Sequence, residues 1–182
     1  MGQWWLLAVV GALAVGLIIA GRGPPDPGPE VVDHVDLAAY TGTWYELASI
    51  PAWFQRDCAR GTTATYTLLA DGRIEVLNRC YDAGGALRSA TGRAWVADPA
   101  VGAKLKVSFF SVLGLWLFPA DYWIIDLAPD YSYAVVGHPT REYGWILSRT
   151  PQLAPETMAQ IIARLEENGY DYTKFRPTPQ ED

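Results

Sequence analysis

Between residues 43 and 149 the chain breaks into eight short runs that each read as a β-strand: 43–50, 62–69, 73–81, 87–97, 103–109, 121–127, 132–138 and 143–149. The connections are short and carry turn chemistry, in Asp71-Gly72, Asp82-Ala83-Gly84-Gly85, Asp98-Pro99, Pro129-Asp130 and His138-Pro139-Thr140. In such turns glycine supplies a positive φ, proline fixes φ, and aspartate bonds its own following backbone. No helical repeat separates the runs. Parallel neighbours need long crossovers, so these strands are expected to pair antiparallel in an up-and-down meander. A flat meander of this length would leave exposed edges, and closing it into a barrel removes them. The expected fold is all-β: an eight-stranded antiparallel up-and-down β-barrel.

One helix follows. Pro155 suits a first helical turn, Met158, Ile161, Ile162 and Leu165 form an i, i+3, i+4, i+7 stripe, and Gly169 is a stop. That stripe is expected to pack on the outside of the barrel, with Tyr170–Phe175 as a short final strand and 177–182 as a flexible tail. Aromatic content of 13%, with eight Trp and ten Tyr, suits a β protein with an aromatic-lined interior.

Residues 4–20, WWLLAVVGALAVGLIIA, are uninterruptedly apolar and lead into the Pro/Gly-rich GRGPPDPGPE. Such a run directs export. As a signal peptide it lacks a charged n-region; as an anchor it lies inside the spanning range of roughly 17–25 residues. Both readings of 1–21 stay open. Residues 22–30 read as a stiff linker and 31–176 as the folded domain. Net charge is −6, without any Lys/Arg run, so nucleic acid is an unsuitable partner. The only cysteines, Cys58 and Cys80, bracket the hairpin that turns at Ala70-Asp71-Gly72. Folding about that turn brings Cys80 opposite residue 62, with Cys58 one step further. In an oxidising compartment a disulfide is expected; two buried free thiols are the alternative.

Gly42-Thr43-Trp44-Tyr45-Glu46 opens the first strand, and Leu147-Ser148-Arg149-Thr150-Pro151 closes the last. The first resembles the opening signature of the lipocalins, and Arg149 resembles that family's late arginine, a guanidinium lying over the tryptophan at the closed end of the barrel. The segments GTWYELA, ATYTLLADG, LKVSFF and WILSRTP resemble more closely the bacterial envelope lipocalins related to apolipoprotein D. The likeness covers roughly residues 31–176, and the family's Thr-Asp-Tyr motif survives only as Asp130-Tyr131. Gly42, Trp44 and Arg149 are then structural markers. Relatives that carry a lipid on a cysteine after the apolar run differ from this chain, where no cysteine precedes Cys58.

The resemblance implies a carrier of fatty acids or lysophospholipids in the cell envelope, needing no cofactor or metal. With Trp44 setting the phase, alternation assigns Tyr66, Leu68, Leu105, Val107, Phe109, Tyr122, Ile124, Tyr133, Val135, Trp145 and Leu147 to the lumen. These are the expected ligand-binding positions, with tyrosine hydroxyls scattered among them and the ligand's polar end near the mouth. Trp145 is the individual residue that the WILSRTP match singles out. Two apolar loops, one with Trp53 and Phe54 and one with Leu113, Leu115, Trp116, Leu117 and Phe118, should share the open end. They are expected to form a membrane-facing rim; a lid or a homodimer contact is the alternative.

Catalytic patterns are sparse. His34 and His138 stand in separate polar or turn contexts, there is no G-x-S-x-G, and no phosphate loop or metal motif occurs. An enzyme acting on a hydrophobic lipid or isoprenoid would have to use Glu46 or Asp126 as acid/base.

Overall fold

The computed structural model describes residues 26–180. In chain order its elements are α1 (Leu37–Tyr40), β1 (Gly42–Ser49), β2 (Arg60–Leu68), β3 (Ile74–Tyr81), β4 (Leu87–Val96), β5 (Lys104–Ser108), β6 (Phe110–Val112), β7 (Leu115–Leu117), β8 (Ala120–Leu127), β9 (Tyr133–Gly137), β10 (Gly144–Ser148), α2 (Pro155–Glu167) and β11 (Arg176–Pro177). β6 and β7 form a separate hairpin, where the sequence suggested only a loop. The other strands from β1 to β10 pair antiparallel with their neighbours, and β10 pairs back onto β1 to close an eight-stranded barrel. The apolar run at 4–20 and the signal-or-anchor boundary at residue 21 lie outside the described residues.

Two bulges decide which side chains face inward. One interrupts β1 between Glu46 and Ala48, the other β8 between Ile124 and Asp126. An extra residue reverses the alternation beyond it. Trp44 packs in the lumen while Ala48 packs outside; Ile124 points in while Ile125 points out, and Leu127 returns to the inside. The outside cluster is where α2 docks. Ile161 and Leu165 are fully buried there against Ile125, Val135 and Ile146, and each such side chain contributes roughly 1.5–3 kcal/mol. Pro155 begins the helix, and Gly169 ends it with φ of +77° beside the Arg141 side chain.

Both chain ends are fastened along the wall. Asp26 forms an ion pair with Arg141 in the β9–β10 loop, and Gly28 packs against Pro139 and Trp123. The chain then runs along β8, with Val32 N donating to Ile124 O at 3.1 Å. At the other end β11 pairs with β1 at Ala48 and Ser49, beyond the point where β2 leaves β1 at Tyr45–Thr63. Thr178 N donates to Leu47 O at 2.9 Å, and Gly61 N donates to Pro179 O at 2.8 Å. Residues 177–180 therefore fill a seam between β1 and β2. Of the stretch expected as a tail, residues 177–180 pair here because backbone groups left unpaired where two strands diverge find partners in the passing chain, and 181–182 lie outside the described residues.

Candidate functional site

The barrel's two ends differ. At the floor, Trp44 is fully buried and its indole N–H donates to Tyr40 O at 2.9 Å. The Arg149 guanidinium lies 3.8 Å from the Trp44 ring centroid. It also donates to the carbonyls of Thr43, Ala39, Tyr40 and Thr41 at 3.0, 2.9, 3.3 and 2.8 Å. Gly42 has φ of +94°, and a Cβ there would stand 3.2 Å from an Arg149 nitrogen. Glycine precedes this tryptophan because a side chain would have to displace the cation.

Tyr66, Ile124 and Leu147 are buried within the lumen cluster, and Val107, Tyr122 and Trp145 pack against it while remaining partly exposed. Four assignments need correction or refinement. Tyr133 and Val135 belong to the outside cluster beneath α2, and Ala134 and Val136 take the inward places. β9 reads Tyr-Ala-Val-Val-Gly and is buried on both faces, so it carries no alternation from which a facing can be read. Leu68 lies at the floor end where the β2–β3 hairpin outruns β1, and is 41% exposed. Phe109 lies over Gly92, whose Cβ would be 2.7 Å from the ring, but it is half exposed at the mouth.

The tyrosine hydroxyls are gathered rather than scattered. Tyr122 Oη lies 2.9 Å from Tyr40 Oη and 2.8 Å from Tyr66 Oη. Burial raises all three above the ordinary phenol range, Tyr66 to about 12, so they stay protonated donors. Tyr40 escaped notice in the sequence because it precedes the first strand.

At the open end, Tyr143 stacks on Trp145 with centroids 6.3 Å apart, and Phe54 lies 6.5 Å from Trp145. Gln55, next to Phe54 in a 3₁₀ turn, accepts from Trp145 Nε1 at 3.0 Å and donates to Glu46 Oε2 at 2.8 Å. Glu46 also accepts from Ser49 Oγ at 2.9 Å and Thr178 Oγ1 at 2.7 Å. Nothing in the sequence linked Gln55 or Thr178 to this place. The rim itself is apolar: Trp53, Phe54, Leu113, Leu115, Leu117 and Phe118 are exposed, Leu113 to 98% and Phe118 to 82%. Trp116 differs, since its ring covers the Arg93 guanidinium at 5.6 Å. Cys58 and Cys80 form a disulfide that ties the first rim loop to β3.

Glu46 and Asp126 form no acid/base pair. Glu46 is held inside by three donors, whereas the bulge turns Asp126 outward toward α2, where it accepts from Leu127 N at 3.0 Å and Tyr133 Oη at 3.4 Å. Burial of Asp126 raises its pKa against the pull of Arg164. Among the described residues no His, Cys, Asp and Glu side chains gather to hold a metal ion.

Residues 35–180 match the family model of a lipocalin-like domain. The chain is 44% identical over 156 residues to temperature-induced lipocalin-1 of Arabidopsis thaliana, covering 84% of this chain and 83% of that protein. It is 37% identical over 169 residues to the outer membrane lipoprotein Blc of Escherichia coli K12, covering 92% of each. Apolipoprotein D of Mus musculus is 37% identical over 163 residues, covering 85% of this chain and 82% of that protein. Insecticyanin of the tobacco hornworm, Manduca sexta, superposes with a TM-score of 0.68 at 23% identity, over 86% of each chain; at that identity the likeness is one of fold.

Proposed function

This chain belongs to the lipocalin family, and on that premise we propose that it binds and carries amphipathic lipids, fatty acids or lysophospholipids, in the cell envelope. One observation carries the reading. The barrel has a packed floor at Trp44 and Arg149, and above it an apolar, aromatic interior in which Val107, Tyr122 and Trp145 remain partly exposed. A concave apolar site with few polar groups suits an acyl chain. The work is binding, not catalysis: its relatives include Blc and apolipoprotein D, and its two candidate carboxylates lie on opposite sides of the wall. Titrating the delipidated protein with lysophospholipids and fatty acids, followed by tryptophan fluorescence, should give saturable binding. Trp145→Ala should weaken it. A well-folded protein that binds neither lipid class would refute the carrier role.

The same reading places the open end against a membrane. Both apolar rim loops follow strands that run toward that end, and large contiguous apolar exposure marks an interaction surface. Asp26, the first described residue, is bound to Arg141 at the same end. Kept as an anchor, residues 4–20 would be joined to Asp26 by residues 21–25, a span of at most about 18 Å. The tether would hold the mouth close to the leaflet that contains it, letting lipid pass without crossing water. Leu113 and Phe118 have φ of 51° and 53°, a conformation aspartate tolerates better than most residues. Leu113→Asp with Phe118→Asp should therefore abolish liposome co-sedimentation and leave the fold intact; unchanged co-sedimentation would end the docking idea.

A further inference from the structure

Three hydroxyls carry three protons, and the two bonds joining Tyr40, Tyr122 and Tyr66 use only two of them. One O–H of this group has no acceptor among the described residues. Tyr122, the middle member, is also the one that remains partly exposed.

A second unpaired group stands just above. Tyr66 pairs with Val76, and one step toward the mouth Ala64 pairs with Asn78, which in turn faces Ala90 on β4. Asn78 shares the inward phase of Val76, and its Oδ1 is buried with no hydrogen-bond partner. Its cross-strand neighbours Ala64 and Ala90 are small. Unpaired buried polar atoms are uncommon because each costs free energy. Here a leftover donor and a leftover acceptor belong to neighbouring inward positions of the same stretch of wall.

We propose that Tyr122, with Tyr40, Tyr66 and Asn78, forms a subsite for an oxygen carried on the buried part of the ligand, a hydroxyl above all. A ligand oxygen can accept from the tyrosine group and a ligand O–H can donate to the amide, whereas a plain hydrocarbon chain leaves both unpaired. The inference rests on the carrier reading and adds a preference to it: the lumen selects acyl chains that carry an oxygen over unsubstituted ones.

The test compares palmitate, ω-hydroxypalmitate and, as a control whose hydroxyl stays beside the carboxylate, 2-hydroxypalmitate on the delipidated full chain. The ω-hydroxy acid should bind about 3–10-fold more tightly than palmitate, the worth of one net hydrogen bond, and the 2-hydroxy acid should not. Tyr122→Phe keeps the ring and should erase the preference; Asn78→Ala should reduce it. If palmitate itself weakens in Tyr122→Phe, its carboxylate occupies the subsite, which also supports the assignment. Equal binding of all three acids by the parent protein, or a preference that survives Tyr122→Phe, would overturn it. Binding of palmitate without any such preference leaves the carrier reading standing alone, and no binding of any acid removes both.

Discussion

Replacing Arg149 by methionine removes the cation from the floor and keeps the apolar stem. Four carbonyls lose a donor, but they do not lose equally. Those of Thr43 and Ala39 are bonded at the exposed surface and can rehydrate. Those of Tyr40 and Thr41 are part-buried and should cost about 1 kcal/mol each. The guanidinium at 3.8 Å from the Trp44 centroid adds about 1 kcal/mol. The expected loss is therefore about 3 kcal/mol, which for a domain of this size lowers Tm by roughly 6–12 °C. Urea unfolding followed by fluorescence, with calorimetry beside it, measures the quantity. Arg149→Lys should recover less than half, because an ammonium keeps the charge without the planar fork. A loss under about 1 kcal/mol in Arg149→Met, or full recovery by lysine, would show that the floor is held by apolar packing alone.

Two further outcomes follow from the structure. The Cys58–Cys80 link spans 22 residues of sequence, so removing it with a double alanine variant should lower stability by about 3 kcal/mol on the chain-entropy account; a loss too small to measure by urea unfolding would mean that the bracketed hairpin is already ordered in the unfolded chain. Burial raises the pKa of Asp126, so the native state holds this proton more tightly than the unfolded chain does. Its stabilising contribution is full below the ordinary carboxylate value and is lost as pH rises through the raised one. Asp126→Asn should then raise Tm slightly at pH 7 and leave it unchanged near pH 3; a lower Tm at pH 7 would mean that Arg164 outweighs burial.

The meander was legible in the sequence because most of its strands have one wet face and their turns use Gly, Asp and Pro. The helix was legible for the same reason, through its one-sided stripe of Ile161 and Leu165. β9 was not, because α2 covers its outer face and the lumen covers its inner one. The bulges at Leu47 and Ile125 were equally silent: one inserted apolar residue among others changes no composition and shifts every later side chain to the opposite face. Phase counted forward from Trp44 holds only as far as Glu46. The facing of Asp126 cannot be counted from Trp44 for the same reason, since it lies beyond a bulge. The tyrosine group needed three separate segments, before β1, within β2 and within β8, to be brought together by barrel closure, which no local pattern records.

The two ends of the barrel divide stability from function. Substitutions at the floor act on groups that are multiply bonded: Trp44, Arg149, Gly42 and the Tyr40 carbonyl constrain one another. The mouth is built oppositely. Leu113 and Phe118 hold left-handed backbone and nearly bare side chains, one at the tip and one at the base of a two-stranded hairpin whose ties to the barrel include the Ser108 hydroxyl and the Trp116–Arg93 contact. Such an element opens at far lower free energy than the barrel wall. A ligand that must enter a closed-bottomed barrel needs that low-cost end, and the exposed apolar side chains that make it costly in water make it favourable at a lipid surface. On the proposed docking, opening of the hairpin and membrane contact would be coupled through the exposure of Leu113 and Phe118. Ligand uptake from vesicles should then outpace uptake of the same lipid from dilute solution, and Leu113→Asp with Phe118→Asp should remove that difference while leaving affinity at equilibrium nearly unchanged. Equal rates from both sources in the parent protein would separate the rim from the route.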